Sequence, residues 1–522
     1  MSSAVRPKTW MPGSCPGKGP DKASPTSDTI FAPATAAGPA AIAVLRLSGP
    51  DAARAVCSLT GNLPPARSAR RRRLVDPETS EPLDDALVLW FPAPASFTGE
   101  DVAEFHLHGS RAVLSAVITA LGRLGLRLAE PGEFTRRAFL NNKLDLTQAE
   151  AITDLAAAET EAQRRQALRQ LDGALGGLYR DWSGRLTRAL AHLEAAIDFP
   201  DEDLPPAIED RILGDIRTLA AEIAGHLADG RRGERLRDGI MVAIVGPPNA
   251  GKSSLLNRIA RREAAITSPI PGTTRDIVEV AIDLAGYPVV LADTAGLRDS
   301  NNPVEQEGLR RARRRAEEAE IRLFVFDARH PADAIGAAAW PGPDTIPVAN
   351  KIDLLQKIPL RPTGGKEPRP ASFSPSPASG GGKGGGGTVR GESAIGPGAP
   401  TSPQPSPPSW AERGKESAAG EFAGAVFPIS ALTGDGLDIL LNALGSRIAE
   451  TYHNEAPLLT RARHRQALED AAVSLARALA ADLPELRAED LRLALRSLGH
   501  ITGTVDVEDL LDIIFRDFCL GK

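Results

Sequence analysis

The stretch Gly239–Ala260, "GIMVAIVGPPNAGKSSLLNRIA", sets an apolar, β-branched run, a glycine-rich loop and a helix-forming run end to end. A short apolar run bounded by glycines reads as a buried strand, and the residues after the loop have helical spacing. Between them Gly246–Ser253 fits G-x-x-x-x-G-K-[ST], whose backbone N–H groups cradle phosphates at a helix N-terminus. Lys252 is placed to reach the β- and γ-phosphates, and the Ser253 hydroxyl to ligate Mg²⁺. A motif this short also occurs by chance, so its surroundings decide.

The surroundings carry four further motifs in order. "LADTAG" ends a strand about forty residues on, supplying Asp293 as a carboxylate near Mg²⁺ and Gly296 as an N–H donor to the γ-phosphate. "GTTRD" lies between, with Thr274 expected to sense the γ-phosphate through the metal. "ANKID" supplies Asn350, Lys351 and Asp353 at a strand end. An Asp carboxylate accepts two hydrogen bonds from guanine N1–H and the 2-amino group; adenine offers no such pair and would leave a costly unpaired carboxylate. "ISAL" returns at Ile429–Leu432, where the Ala431 N–H is expected to meet guanine O6. Together they read as a Ras-like P-loop GTPase. GTP contacts are expected from Asn249, Ala250, Gly251, Lys252, Ser253 and Ser254, from Ser268, Pro269, Ile270, Pro271, Gly272, Thr273 and Thr274, from Asp293, Thr294, Ala295 and Gly296, and from Asn350, Lys351, Asp353, Ser430, Ala431 and Leu432.

Hydrolysis must differ from that of Ras. There a Gln after D-x-x-G orients the water and an arginine finger supplies charge; here that position is Leu297. Asn249 offers an amide oxygen to a monovalent cation beside the phosphates, and Glu305 a carboxylate that acts on water. On spacing alone, each is equally an ordinary polar loop residue.

Outward from this unit, 522 residues exceed one core, and about three domains are expected. A net charge of -6 advertises no general nucleic-acid binding, so any RNA contact must be local. Three cysteines without a CxxC pair argue against zinc and disulfides and for a reduced, cytoplasmic setting. No apolar run approaches a membrane span, and residues 1–27 lack the apolar segment of a signal peptide; they are expected to be disordered. From 28 to 141, short apolar strands and the helical run "RAVLSAVITALGRLG" suggest an α+β unit, with Arg70–Arg73 a solvated loop and His106 and His108 lining the domain. From Thr147, a T-x-x-E capping box with Glu150 precedes a leucine stripe, Leu168, Leu171, Leu175, Leu178, Trp182, Leu186, Leu190 and Leu193, read as one helix face. Helical text resumes after the GTPase unit, so the helical domain is split, 142–238 and 451–522, around a G domain at 239–450. Within it, residues 361–422 hold 14 Gly and 11 Pro in 62 positions. Such text buries too little apolar surface to fold and is expected to be a disordered insertion.

The segments "FTGEDVAEFHLHG", "PGEFTRRAFLNNKLDLTQAEAITDL", "AAIDFPDED", "GPPNAGKSSLLN", "GTTRDIVE", "DTAGLR" and the terminal "FCLGK" resemble the MnmE (TrmE) family of tRNA modification GTPases, over nearly everything from Asp28 onward except the insertion. The resemblance implies an N-terminal folate-binding and dimerisation domain, a discontinuous helical domain and an inserted Ras-like G domain. It implies K⁺ activation, with Asn249, Ser268, Ile270 and Thr273 as K⁺ ligands, Ser253 and Thr274 on Mg²⁺, and Glu305 as catalytic carboxylate. It further implies a homodimer that joins the flavoprotein MnmG in a heterotetramer. Together they place an aminomethyl or carboxymethylaminomethyl group on C5 of the wobble uridine of certain tRNAs. The carbon comes from 5,10-methylene- or 5-formyl-tetrahydrofolate, held by Arg46, Glu104, Lys143 and Lys522. The cations among these suit an anionic glutamyl tail, and Glu104 the donor edge of the pterin. Cys519 in the tail becomes a candidate nucleophile, or part of a plug that only shapes the pocket. A potassium-dependent ribosome-assembly GTPase is the rival reading, but it calls for an RNA-binding module such as a KH domain after the G domain. A non-enzymatic folate-binding scaffold is the other, opposed by the intact nucleotide motifs.

Overall fold

The computed structural model describes residues 28–36, 38–198, 206–263, 279–293, 314, 316–334, 344–355, 426–453 and 458–505, with 511, 514, 515, 518 and 521. Residues 1–27 and 361–422, both expected to be disordered, lie outside this set. The chain forms two compact units, one of residues 1–240, 281–289 and 445–522, the other of 241–280 and 290–444. The fold is multidomain, α+β and helical in the first unit and α/β in the second.

The first unit opens with strands β1 (Ile30–Pro33) and β2 (Ile42–Ser48), helix α1 (Ala52–Thr60) and strands β3 (Arg70–Val75), β4 (Pro82–Phe91) and β5 (Val102–His108). Helix α2 (Arg111–Arg123), strand β6 (Arg127–Leu128) and helix α3 (Glu133–Leu140) complete this part. The sheet order is β3-β4-β5-β2-β1-β6. Alternation in β2 puts Leu45 and Leu47 into a core with Phe31, Val88, Trp90 and Phe105, and leaves Arg46 on the opposite face, opposite Glu104 in register. Arg70–Arg73 is a correction: it is edge strand β3, not loop. Leu74 anchors it in the core, while Arg71 and Arg73 stay in solvent and pair with Asp85 across the ladder at 3.5 and 3.0 Å. Cationic side chains also protect such an edge from further pairing.

Helices α4 (Leu146–Ala157), α5 (Glu161–Leu171), α6 (Ala174–Asp198), α7 (Pro206–Leu227) and α8 (Arg232–Asp238) follow. Two expectations from the sequence are corrected here. Asp145, not Thr147, caps α4: its carboxylate accepts from Gln148 N–H, and the Gln148 side chain accepts from Asp145 N–H. Asp caps at least as well as Thr, so the helix starts earlier than expected. The leucine stripe is also two helices. The chain breaks after Leu171, so Leu168 and Leu171 belong to α5, whereas Leu175, Trp182, Leu186, Leu190 and Leu193 share the buried face of α6.

The second unit contains β7 (Ile240–Val245), which opens it at the boundary, α9 (Lys252–Arg262), β10 (Ile321–Asp327), β11 (Asp344–Asn350) and β12 (Phe427–Pro428); between them in sequence come β8 (Glu279–Leu284) and β9 (Tyr287–Asp293). The sheet order is β12-β11-β10-β7-β9-β8, with β7, β10, β11 and β12 parallel. Nearly every residue of β7 and β10 is buried, as strands covered on both faces require. Then α10 (Leu437–Tyr452), α11 (Ala462–Ala480) and α12 (Pro484–Thr502) return the chain to the first unit. Leu468, Leu475, Leu491 and Leu498 of α11 and α12 share one core with the α6 stripe and with Ile216 and Ile223 of α7.

The two stretches of helix are also locked by charge. Glu150 on α4, 2% exposed, accepts from Arg463 Nε at 2.6 Å and His464 Nε2 at 3.0 Å. Burial alone would raise its pKa, but His464 and Arg463, by charge and hydrogen bond, hold it well below the usual carboxylate range. Burial lowers the pKa of His464 itself, opposed by the charge of Glu150. Because a depressed carboxylate stabilises only when ionised, this contribution is complete above about pH 4.3 and is lost as pH falls further. Removing the carboxylate leaves the half-buried Arg463 guanidinium without its acid partner. Glu150→Ala is therefore expected to destabilise the first unit by about 3–5 kcal/mol at pH 7, read as a shifted urea midpoint, with a smaller difference from wild type at pH 3.

Candidate functional site

Of the GTP-site residues expected from sequence, the structure describes Asn249 to Ser254, Asp293, Asn350, Lys351, Asp353, Ser430, Ala431 and Leu432. Ser268 to Thr274, Thr294, Ala295, Gly296, Leu297 and Glu305 lie outside the described residues. The phosphate loop joins β7 to α9, as its strand–loop–helix text requires. Gly251 takes φ +96°, and a Cβ there would sit 2.3 Å from Asn350 Nδ2, so the position is closed to any side chain. Lys252 is 7% exposed and donates to the carbonyls of Gly246 and Pro247, both at 3.0 Å. Burial lowers its pKa, opposed by the charge of Asp293. Asp293 Oδ1 is itself buried with no hydrogen-bond partner among the described residues, leaving its lone pairs for a metal-bound water.

Asn350 joins the loops. Its Nδ2 donates to Ala250 O at 2.8 Å, and its Oδ1 accepts from Ala431 N–H at 2.9 Å. Ala431 N–H, expected to meet guanine O6, is thus the donor to Asn350 here. Lys351 Nζ donates to Asn249 O at 2.6 Å and to Asp327 Oδ2 at 2.9 Å. Asp327 is a residue the sequence reading missed, at the end of β10 in "FVFD". Arg329, with Lys351 behind it, holds its carboxyl well below the usual range. Asp353 Oδ1 accepts from Ser430 Oγ at 2.6 Å, which fixes the carboxylate's orientation. Gly251, Ser254, Asn350, Lys351, Asp353, Ala431 and Leu432 line one cavity of about 480 Å³, within the range of ligand sites.

A second cavity, of about 690 Å³, lies in the first unit. Arg46, Arg67 and Glu104 supply its charges, while Phe91, Phe97, Ile152 and Leu155 contribute apolar wall. Arg46 Nε pairs with Glu104 Oε1 at 3.0 Å, and its guanidinium lies 5.7 and 5.8 Å from the ring centres of Phe97 and Phe134. The Gly521 carbonyl accepts from Arg46 Nη1 at 3.5 Å, which brings the tail to this arginine. Gly521 takes φ +91°, and a Cβ there would meet Pro33 O at 2.1 Å. Of the folate ligands expected, Arg46 and Glu104 come together here. Lys143 does not line this cavity; its Nζ donates to Pro94 O at 3.0 Å. Cys519 and Lys522 lie outside the described residues. His106 and His108 face carboxylates, Glu104 at 3.4 Å and Asp84 at 2.6 Å.

The double role of Asn350 yields a test. Asn350→Ala orphans Ala250 O and the Ala431 N–H together, loosening two walls of one cavity. Affinity for GDP and GTP is expected to fall by roughly 10- to 100-fold, measured by titration with fluorescent nucleotides, with little change in the unfolding of the first unit.

Two family models match the chain: the N-terminus of the GTP-binding protein TrmE over residues 29–143, and the MnmE helical domain over residues 146–519. The chain is similar to the tRNA modification GTPase MnmE of Rhodospirillum rubrum, with 53% identity over 512 residues, covering 95% of this chain and all of that protein. It shares 52% identity with the protein of that name from Parvibaculum lavamentivorans and 51% with that from Paramagnetospirillum magneticum, in each case over 95% of this chain and all of the other. With just over half of the aligned positions identical across 95% of the chain, and with the nucleotide loops assembled around Asn350, the chain belongs to the MnmE (TrmE) family of tRNA modification GTPases.

Proposed function

We propose that the chain is a K⁺-activated GTPase that, with the flavoprotein MnmG, modifies C5 of the wobble uridine in certain tRNAs, using a tetrahydrofolate as carbon donor. The observation that carries this reading is the coexistence of two built cavities on one chain. One is lined by a phosphate loop and a guanine-reading carboxylate. The other carries a carboxylate–guanidinium pair among aromatic walls, with the tail glycine bonded to that guanidinium.

In the first cavity, loop N–H groups and Lys252 hold the phosphates, and Asp353, fixed by Ser430, accepts from the guanine edge. The orphaned Asp293 Oδ1 fits a Mg²⁺ site completed by Ser253 and Thr274, where the ion neutralises developing phosphate charge. Asn249 suits K⁺. It is exposed in left-handed backbone at φ 60°, and its side-chain amide has no hydrogen-bond partner among the described residues. K⁺ held there with Ser268, Ile270 and Thr273 supplies positive charge where Ras-like enzymes use an arginine. Glu305 acts on the attacking water in place of the Ras Gln. In the second cavity Glu104 reads the pterin's donors and Arg46 completes the wall, with Lys143 and Lys522 as further folate ligands. Cys519 takes part in the uridine chemistry. We place the enzyme in the cytoplasm as a homodimer; no helix among the described residues is long and apolar enough to cross a membrane. The ribosome-assembly alternative gains no support: the described chain beyond Leu437 is helical, in α10, α11 and α12.

Initial GTPase rates at equal ionic strength are expected to be at least about tenfold higher in KCl than in NaCl, as loss of one charge-stabilising group costs at least that much. Asn249→Ala should abolish the difference while GTP affinity is retained. Mass spectrometry of tRNA nucleosides from a strain carrying Cys519→Ser should show unmodified wobble uridine, with K⁺-stimulated hydrolysis near wild type. Equal rates in the two salts would sink the potassium reading, and normal nucleosides would remove the thiol from the chemistry.

A further inference from the structure

The charges of the 690 Å³ cavity do not balance. Arg46 and Glu104 neutralise one another at 3.0 Å, and Lys143, the other described cation expected to meet an anionic tail, is engaged by Pro94 O and is not part of the lining. Arg67 is the remaining charged residue of the lining, and among the described residues it has no carboxylate partner. Its guanidinium donates to Ala95 O and lies 6.0 Å from the centre of the Phe91 ring, while its backbone N–H donates to Trp90 O at 2.8 Å. The residue is held in left-handed backbone, φ 58°, which is uncommon for a side chain of this size and which collects at functional sites. One cation is therefore positioned by a strand-end hydrogen bond and an aromatic face, with no carboxylate paired to it among the described residues. The wall around it is apolar, with Phe97 37% exposed.

A ligand suited to these walls has a flat head with donors for Glu104, an apolar middle and an anionic end. We propose that Arg67 binds the terminal carboxylate of the folate's glutamyl tail and makes the cavity selective for folates that carry glutamate. This rests on the folate reading of the cavity. A planar guanidinium offers two parallel N–H groups to a carboxylate, which a lysine cannot reproduce.

The test is calorimetric titration of the full-length protein with 5-formyltetrahydrofolate and with 5-formyltetrahydropteroate, its counterpart lacking glutamate. Wild type is expected to prefer the glutamyl form by about tenfold, a preference that shrinks as salt is raised. Arg67→Ala should lose that preference by binding the glutamyl form about tenfold more weakly and the pteroate form as before; Arg67→Lys should keep part of it. Thermal unfolding checks that both variants fold. If Arg67→Ala keeps the full preference, or weakens both ligands equally, Arg67 does not read the tail and the proposal is overturned. Wild type binding both forms equally also overturns it, whereas wild type binding neither overturns the folate reading on which it stands.

Discussion

The Glu150 carboxylate is where the two stretches of the helical domain are held to one geometry. Its partners Arg463 and His464 lie more than three hundred positions away in sequence, with the second unit inserted between. Apolar packing of α6, α7, α11 and α12 supplies most of the driving force, but apolar faces tolerate sliding by a turn. A buried carboxylate that must meet two specific donors does not, because every other register leaves charge unpaired at a cost of several kcal/mol. A second ionic group works alongside it: Arg465 joins Asp229 at 2.7 Å and Glu234 at 2.7 Å, again across the insertion. The interruption of the domain is thus closed by burial and fixed in register by charge pairing.

The nucleotide cavity is held together differently. Its loops grip each other mainly through backbone groups met by side chains: Asn350 to Ala250 and Ala431, Lys351 to Asn249. Side-chain amides suit this because one carbonyl and one NH₂ can satisfy an acceptor and a donor on separate loops. The same bonds that satisfy buried backbone therefore set the distance between the phosphate loop and the guanine-reading end. Binding specificity and local stability share residues, so neither can be altered alone.

How much of this is legible in the sequence depends on how far apart the partners lie. The phosphate loop can be read from eight consecutive residues because strand, loop and helix are adjacent and the chemistry is local. Strands β2 and β4 can be read from short apolar runs, and β5 from alternation, for the same reason. The misreadings come where two local signals compete. Thr147 and Glu150 match a capping pattern, but Asp145 and Gln148 match it equally well two residues earlier, and Glu150 is claimed by a distant arginine. Arg70–Arg73 looks like loop because charge masks an edge strand anchored by Leu74 alone. Asp327 carries only the faint signal of an acid at a strand end. Asn350 stands out, and the motifs assign it and Ala431 to the same nucleotide, but that one grips the other is not legible. That Lys143 is engaged by Pro94 O is equally invisible, being a matter of side-chain direction.

The bond between Arg46 and Gly521 closes a span of 475 positions, among the longest separations in the molecule. The entropy of such closure grows only slowly with length, so the contact is thermodynamically accessible; the difficulty lies in timing. β2 and its sheet can form as soon as the first part of the chain leaves the ribosome, whereas Gly521 is made almost four hundred residues after Leu128 of β6. During all of that interval Arg46 stands without the tail. The close fit of Gly521 against Pro33 then admits only a bare backbone, so the tail enters a gap already shaped by a finished domain. Biosynthesis thereby acquires an order: the guanine-binding unit is translated before the tail that meets Arg46, and the wall around Arg46 is the last part of the first unit to mature.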